Sequence, residues 1–280
     1  MNLFEKQVHT VLQSSPELTS LKPVVEKEIL HHDILRVMHR HGFLKPLVFI
    51  GGTCLRMCHG SSRLSEDLDF SGGNHFNKNE LVDLCEILKQ ELMNKYDVPV
   101  EVSEPRKESG NVSTWKIKVI TQGNATNLPS QRINIDICAV PSHDVKPSLL
   151  INHYSVDLGT RGIILPVESL EEILADKILA FAMRPNRVKN RDIWDMLWLK
   201  QRNAGLNQEL LLAKLEDRKL DKADFLLQYR ERLELVSALE QDYQKEMQRF
   251  LPVAEKQVLD QGNFYWHMVL ETLAEYVRNL

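Results

Sequence analysis

The stretch FIGGTCLRMCHGSSRLSEDLDFSGG, Phe49–Gly73, decides how this chain is read. It begins at the end of a short apolar run, LVFI, which reads as a strand closed by Gly51 and Gly52. Glycines here allow a tight turn whose backbone N–H groups approach an anion without Cβ interference, and Thr53 adds a hydroxyl donor. The spacer RMCHGSSRLSED carries Arg63 and Ser65. An arginine just ahead of an acidic pair can pair with Asp67 or bind a substrate phosphate, and both readings stand. Then comes Asp67-Leu68-Asp69-Phe70. A strand alternates faces, so Leu68 and Phe70 point into a core while Asp67 and Asp69 stand on the other face, roughly 7 Å apart at the backbone. Two such anions raise each other's pKa, and a divalent cation offsets the repulsion. Taken alone, the pair is equally readable as a turn-proximal cap.

RINIDICAV, residues 132–140, repeats the pattern. Ile133, Ile135 and Ile137 face one way; Asn134, Asp136 and Cys138 face the other. If this strand neighbours the first, Asp136 completes a three-carboxylate cluster. That suits two magnesium ions, one activating an attacking oxygen and one holding a triphosphate. No Lys-Ser/Thr follows the glycines and no G-x-G-x-x-G occurs, so this is neither a P-loop nor a dinucleotide fingerprint. A glycine turn, a spacer helix, an Asp-x-Asp strand and a later strand Asp together resemble the polymerase-β-like nucleotidyltransferases.

The rest of the chain is consistent with that pattern. It has 280 residues, 43% hydrophobic and 26% charged, as in ordinary globular proteins of one large or two modest domains. A net charge of −4 excludes a global basic field, so any nucleic-acid surface must be local. No segment reaches the roughly 20 apolar residues of a membrane span, and the N-terminus lacks the pattern of a signal peptide; a cytoplasmic protein without a membrane partner is expected. Cys54, Cys58, Cys85 and Cys138 are scattered and read as reduced, mostly buried thiols. Cys54, Cys58 and His59 lack the second ligand pair of a zinc site. Residues 1–41 read as helical, with Pro23 suited to a first turn. Adjacent His31 and His32 diverge around a helix and read as surface histidines. LVDLCEILKQELMNKY reads as an amphipathic helix, and VPVEVS, STWKIKVITQ and QRINIDICAV as strands. From about Pro166 onward almost everything looks helical, opening on a capping box from Ser169 to Glu172. The expected class is α+β. An α/β core with a mixed sheet, flanking helices and N-terminal helices occupies residues 1–165, and a helical domain over 166–280 completes the active-site cleft.

Two signals lie in the helical half. In LEEILADKILAFAMR, Lys177 falls within the apolar stripe of Leu170, Ile173, Leu174, Ile178 and Phe181, and a lysine there needs an anion. A nucleotide phosphate or a carboxylate would serve. Next, RPNRVKNRD gathers Arg184, Arg187, Lys189 and Arg191 before any acid. That run can track an RNA backbone or lie as a solvated loop. Arg191 and Asp195 are spaced to pair on a helix, which leaves Asp192 as the freer acid and a candidate general base. Trp194 and Trp198, also four apart, read as core.

GGTCLRMCHGSSRLSEDLDF, INIDI, LADKILAFAMR and NRDIWDM resemble, in order and spacing, the four motifs of the AbiEii/AbiGii toxin family, over about residues 40–200. These are nucleotidyltransferase toxins of abortive-infection (phage-defence) and toxin–antitoxin systems. The resemblance implies a polymerase-β-like fold, Mg2+ or Mn2+, an NTP substrate and a cognate antitoxin partner. It carries nucleotide or metal roles onto Gly51, Gly52, Asp67, Asp69 and Asp136, a nucleotide-binding role onto Lys177 and a catalytic one onto Asp192. Some members add nucleotides to the acceptor end of tRNA, so a tRNA 3′ end is the expected acceptor; a small molecule or a protein side chain is the alternative, as is a nucleotide-binding module without transfer. The chain has Gly-Gly-Thr where the wider superfamily often has Gly-Ser.

Overall fold

The structure is a computed structural model that describes residues 1–105, 111–121, 130–185, 187–278 and 280. Gln122, at the end of one expected strand, and Asn186, within the basic run, lie outside the described residues. The chain divides into two compact units, one of residues 1–141 with 146–167, the other of residues 142–145 with 168–280.

The first unit opens with α1 (Leu3–Ser14) and α2 (Lys22–Arg40), then β1 (Val48–Ile50), α3 (Gly51–His59), β2 (Leu68–Ser71), α4 (Leu84–Tyr96), β3 (Val100–Ser103), β4 (Val112–Ile120) and β5 (Ser130–Cys138). Two more strands follow, β6 (Val145–Leu149) and β7 (Ile164–Glu168). The described residues form one mixed seven-stranded sheet in the order β3-β4-β5-β2-β1-β7-β6. β2 runs parallel to β5 and antiparallel to β1, and β5 runs antiparallel to β4. The alternation read from the sequence holds: Leu68 and Phe70, and Ile133, Ile135 and Ile137, are all buried. Each such side chain contributes roughly 1.5–3 kcal/mol of burial, which pins the register, because a one-residue slip would turn it to the opposite face. Phe70 also stacks on Phe49 of β1, ring centroids 5.1 Å apart.

β7 runs to Glu168, a little past the point near Pro166 from which the sequence reading placed helix, and β6 is a strand that reading did not identify. Their segments, VKPSL and ILPVE, are short and each carries a proline, which removes a ladder donor and hides the strand pattern. β6 is the outermost strand, where proline is tolerated.

α2 corrects a second reading. Pro23 does sit in its first turn, and His31 and His32 do point apart, but both histidines are fully buried rather than at the surface. His31 Nε2 meets the Glu66 carbonyl at 2.9 Å and His32 Nδ1 the Thr160 hydroxyl at 2.7 Å. Beside them Glu28, also buried, accepts from Arg56 Nε at 2.9 Å and Tyr154 Oη at 2.8 Å. Asp33 accepts from Lys95, Arg36 and the Tyr96 hydroxyl. α2 is thus packed on nearly all sides, and each of these four polar side chains has at least one fixed partner, while His31 Nδ1 and His32 Nε2 are buried without one.

The second unit holds α5 (Leu170–Met183), α6 (Asn190–Gln201), α7 (Gln208–Asp217), α8 (Lys222–Val236), α9 (Glu240–Met247), α10 (Val253–Leu259) and α11 (Asn263–Glu275). Ser169 caps α5 by accepting from the Glu172 N–H at 3.2 Å. The other half of the expected box is replaced: the Glu172 carboxylate takes the N–H groups of His143 and Asp144 and the buried ammonium of Lys214. Lys214 also meets Glu168 and Asp176, so three acids surround one buried cation. No helix among the described residues is long and apolar enough to cross a membrane.

Candidate active site

The turn after β1 is set by Gly51, whose φ of +77° lies in the left-handed region that glycine adopts without strain. The chain then passes straight into α3, whose first N–H groups have no intrahelical acceptors. A Cβ on Gly51 would lie 2.8 Å from Asp69 Oδ2, so the Asp69 carboxylate lies directly against the turn. A Cβ on Gly52 would lie 2.4 Å from Arg63 Nη2 and 3.3 Å from Ser65 Oγ. Each glycine therefore leaves room for one polar side chain.

β2 and β5 bring the later acid alongside. Asp69 and Asp136 are register partners across the parallel pair, on the face opposite the isoleucines. Adjacent strands lie about 4.8 Å apart, so the two carboxylates stand side by side. Asp136 Oδ1 accepts from Thr114 Oγ1 at 2.6 Å, Thr114 being its partner on β4. Asp67 sits in the bend before β2 rather than within the strand, and its Oδ1 accepts from the Asn134 N–H at 3.1 Å. Among the described residues, no group of three His, Cys, Asp or Glu side chains is gathered around one point. Like charges separate and turn to nearby hydrogen-bond donors. The donor chemistry still fits a hard divalent cation: oxygens only, two carboxylates in register, and a third held on the neighbouring bend.

Three residues expected at the nucleotide are turned inward. Thr53 is buried and its hydroxyl donates to the Asp67 carbonyl, so that hydrogen is not offered to a phosphate. Arg63 is only 2% exposed, with Nη1 on the Leu64 carbonyl at 2.8 Å. Ser65 is also buried. The spacer lies against the start of α3, where Arg63 and Ser65 fill the space beside Gly52, and Thr53 and Arg63 each satisfy a backbone carbonyl of the residues between α3 and β2.

Within the second unit, α5 and α6 bring Lys177 to two acids. Its Nζ lies 2.6 Å from Asp192 Oδ1 and 2.7 Å from Asp195 Oδ2. The anion required by the lysine is thus carboxylate in this structure. Asp192 is not the freer acid: Arg184 Nη1 reaches its Oδ2 at 2.7 Å, and the residue is buried. Burial by itself would raise its pKa, but Lys177, Arg184 and Lys189 together hold it well below the usual carboxylate range. In this structure the Asp192 carboxylate accepts from both Lys177 and Arg184. The basic run is also less continuous in space than in sequence. Arg184 is taken by Asp192, while Arg191 lies 3.6 Å from Glu246 and over the Phe250 ring at 4.5 Å. Arg187 is exposed and Lys189 half-buried. Trp194 and Trp198 are core, as expected.

Sequence reasoning did not single out Thr114 or the Asn134 N–H, and it read the buried His31 as a surface residue. Only strand register puts Thr114 opposite Asp136.

A family model described as the nucleotidyl transferase AbiEii toxin of type IV toxin–antitoxin systems matches residues 33–270. Among solved structures, the chain is similar to MenT4, a nucleotidyltransferase toxin from Mycobacterium tuberculosis, at 17% identity. The TM-score is 0.54, over 96% of this chain and 98% of that one. It is also similar to JHP933 from Helicobacter pylori, again at 17% identity, with a TM-score of 0.51 over 90% of this chain and 92% of that one. No curated protein sequence matches it. At such identities the likeness is one of fold, an α+β polymerase-β-like architecture.

Proposed function

Because the chain belongs to the AbiEii family of nucleotidyltransferase toxins from type IV toxin–antitoxin systems, we propose that it transfers a nucleoside monophosphate from an NTP to the 3′ hydroxyl of a tRNA. The acceptor hydroxyl attacks the α-phosphorus, loses its proton, and pyrophosphate leaves. The observation that carries this reading is the Asp69–Asp136 pair, in register beneath a glycine turn that opens directly into a helix N-terminus.

Under this reading Asp69, Asp136 and Asp67 hold Mg2+ or Mn2+, which when bound neutralises triphosphate charge and makes the acceptor oxygen easier to deprotonate. Gly51 lets the backbone approach the phosphates, and the first N–H groups of α3 favour their negative charge. Thr114 holds the Asp136 carboxylate in direction through its 2.6 Å hydrogen bond. Lys177 is the second unit's candidate phosphate ligand, and Asp192 and Asp195 orient its ammonium. Arg187 and Lys189 are the candidates for drawing RNA, since an acidic protein needs a local basic field. A cognate antitoxin is the partner that membership of such a system implies.

The test is to incubate the protein with each α-labelled NTP, Mg2+ and total cellular RNA. Label in the tRNA-sized band, lost on chelation and in Asp136→Asn, supports the proposal. Label confined to protein, or none in RNA with any NTP, moves the acceptor away from RNA.

A further inference from the structure

Two consecutive peptide carbonyls lead into β2, those of Glu66 and Asp67, and each is held by a buried side chain from a different helix. His31 of α2, fully buried, meets the Glu66 carbonyl through Nε2 at 2.9 Å. Thr53 of α3, 1% exposed, donates its hydroxyl to the Asp67 carbonyl. A carbonyl oxygen only accepts, so the hydrogen lies on His31 Nε2 and on Thr53 Oγ1. The Asp67 carboxylate is fixed from a third side, by the Asn134 N–H of β5 at 3.1 Å. Lys27 also reaches the Glu66 carboxylate at 3.0 Å.

Asp67 lies in a bend, where no strand geometry of its own fixes its direction. We propose that Thr53 and His31 are positioning residues that fix the Glu66–Asp67 carbonyls and so aim the Asp67 carboxylate at a divalent cation, Thr53 acting through Asp67 rather than on phosphate. This rests on the reading of Asp67 as a metal ligand. Each side chain is at hydrogen-bond distance from the backbone next to that carboxylate, and neither reaches solvent to do anything else. Loss of either leaves a carbonyl without its buried donor and lets the bend rotate. Groups that orient metal-binding carboxylates typically change metal affinity about 10–100-fold when removed.

The experiment measures Mn2+ binding directly, by loss of the free-ion electron paramagnetic resonance signal, in the full chain with a non-hydrolysable NTP present. Thr53→Val keeps the shape and removes the donor; it is expected to weaken Mn2+ binding about tenfold while the KM for NTP at saturating metal changes little. Thr53→Ser restores the hydroxyl and recovers most of the affinity. His31→Leu weakens binding likewise, and His31→Gln, whose amide can donate to the Glu66 carbonyl, recovers it in part. Circular dichroism checks folding; if Thr53→Val does not fold, the His31 pair decides. A raised KM for NTP with unchanged Mn2+ affinity in Thr53→Val would show the hydroxyl acting on phosphate and overturn the inference. Asp67→Asn separates the two levels. If it leaves Mn2+ binding intact, the reading of Asp67 fails and takes this inference with it. If it weakens binding while both donor-less variants bind as the parent does, only the inference fails.

Discussion

Replacing Gly51 by alanine separates two costs that the turn avoids. The first is conformational: φ is +77°, and an L side chain there costs roughly 1–2 kcal/mol. The second is steric, since the new Cβ would lie 2.8 Å from Oδ2, 3.3 Å from Cγ and 3.2 Å from Cβ of Asp69. All of these atoms belong to one side chain, so the simplest relief swings the Asp69 carboxylate off the face it shares with Asp136. The conformational term predicts a melting temperature lower by about 2–8 °C for a body of this size. The steric term predicts loss of metal binding and of nucleotide transfer. Gly51→Asn tells them apart. Asparagine enters the left-handed region more easily, so much of the stability returns, but it carries the same Cβ and transfer stays lost. Thermal unfolding and α-labelled NTP incorporation, run on parent and both variants, read the two terms independently. Parent-like Mn2+ binding in Gly51→Ala, or full transfer in Gly51→Asn, would refute the idea that the glycine serves the carboxylate.

Three further outcomes are expected. Asp192→Asn leaves Arg184 beside a neutral amide and Lys177 without one of its two carboxylates, Asp195 remaining, and should cost about 3 kcal/mol in denaturant melts at pH 7; because the folded-state pKa is depressed, that difference should hold down to about pH 4 and shrink only below it. Burial pushes His32 down to about 4 despite Glu28 and Asp33, with His31 and His153 adding to the shift, so the unfolded chain takes up its proton first. Stability should therefore fall between about pH 6.5 and 4 by roughly 3 kcal/mol from this group, and His32→Gln should flatten that part of the profile. Arg187→Glu with Lys189→Glu should reduce RNA labelling while NTP binding measured by fluorescence stays the same, and the salt dependence should become shallower by about 0.7–0.9 for each phosphate that is no longer neutralised. Equal loss of NTP binding would place the two side chains at the nucleotide instead.

What could be read in one dimension was whatever depends on period and spacing. Strand alternation placed Leu68 and Phe70, and the three isoleucines of β5, in the core, because burial of one face follows directly from a period of two. It therefore also placed Asp69 and Asp136 on polar faces. The glycine turn was legible because few residues other than glycine tolerate a positive φ. Lys177 in an apolar stripe announced that an anion must lie nearby. Nothing in spacing names a partner, however, and most of the corrections concern partners. That two strands are parallel neighbours in register, making Asp69 and Asp136 a pair, is a property of the sheet. Whether Thr53 faces a phosphate or the Asp67 carbonyl depends on where the spacer folds back. Asp192 was free in sequence and is held between two cations in space, because residues 8 and 15 positions away along the chain return to it through the packing of α5 on α6. His31 and His32 looked like surface residues by helical geometry, yet α2 is enclosed on both sides, one ring reaching Glu66 and the other Thr160. Helical and strand periods are local and survive in the sequence; the donor that satisfies a buried group comes from elsewhere in the chain, and only the tertiary structure selects it.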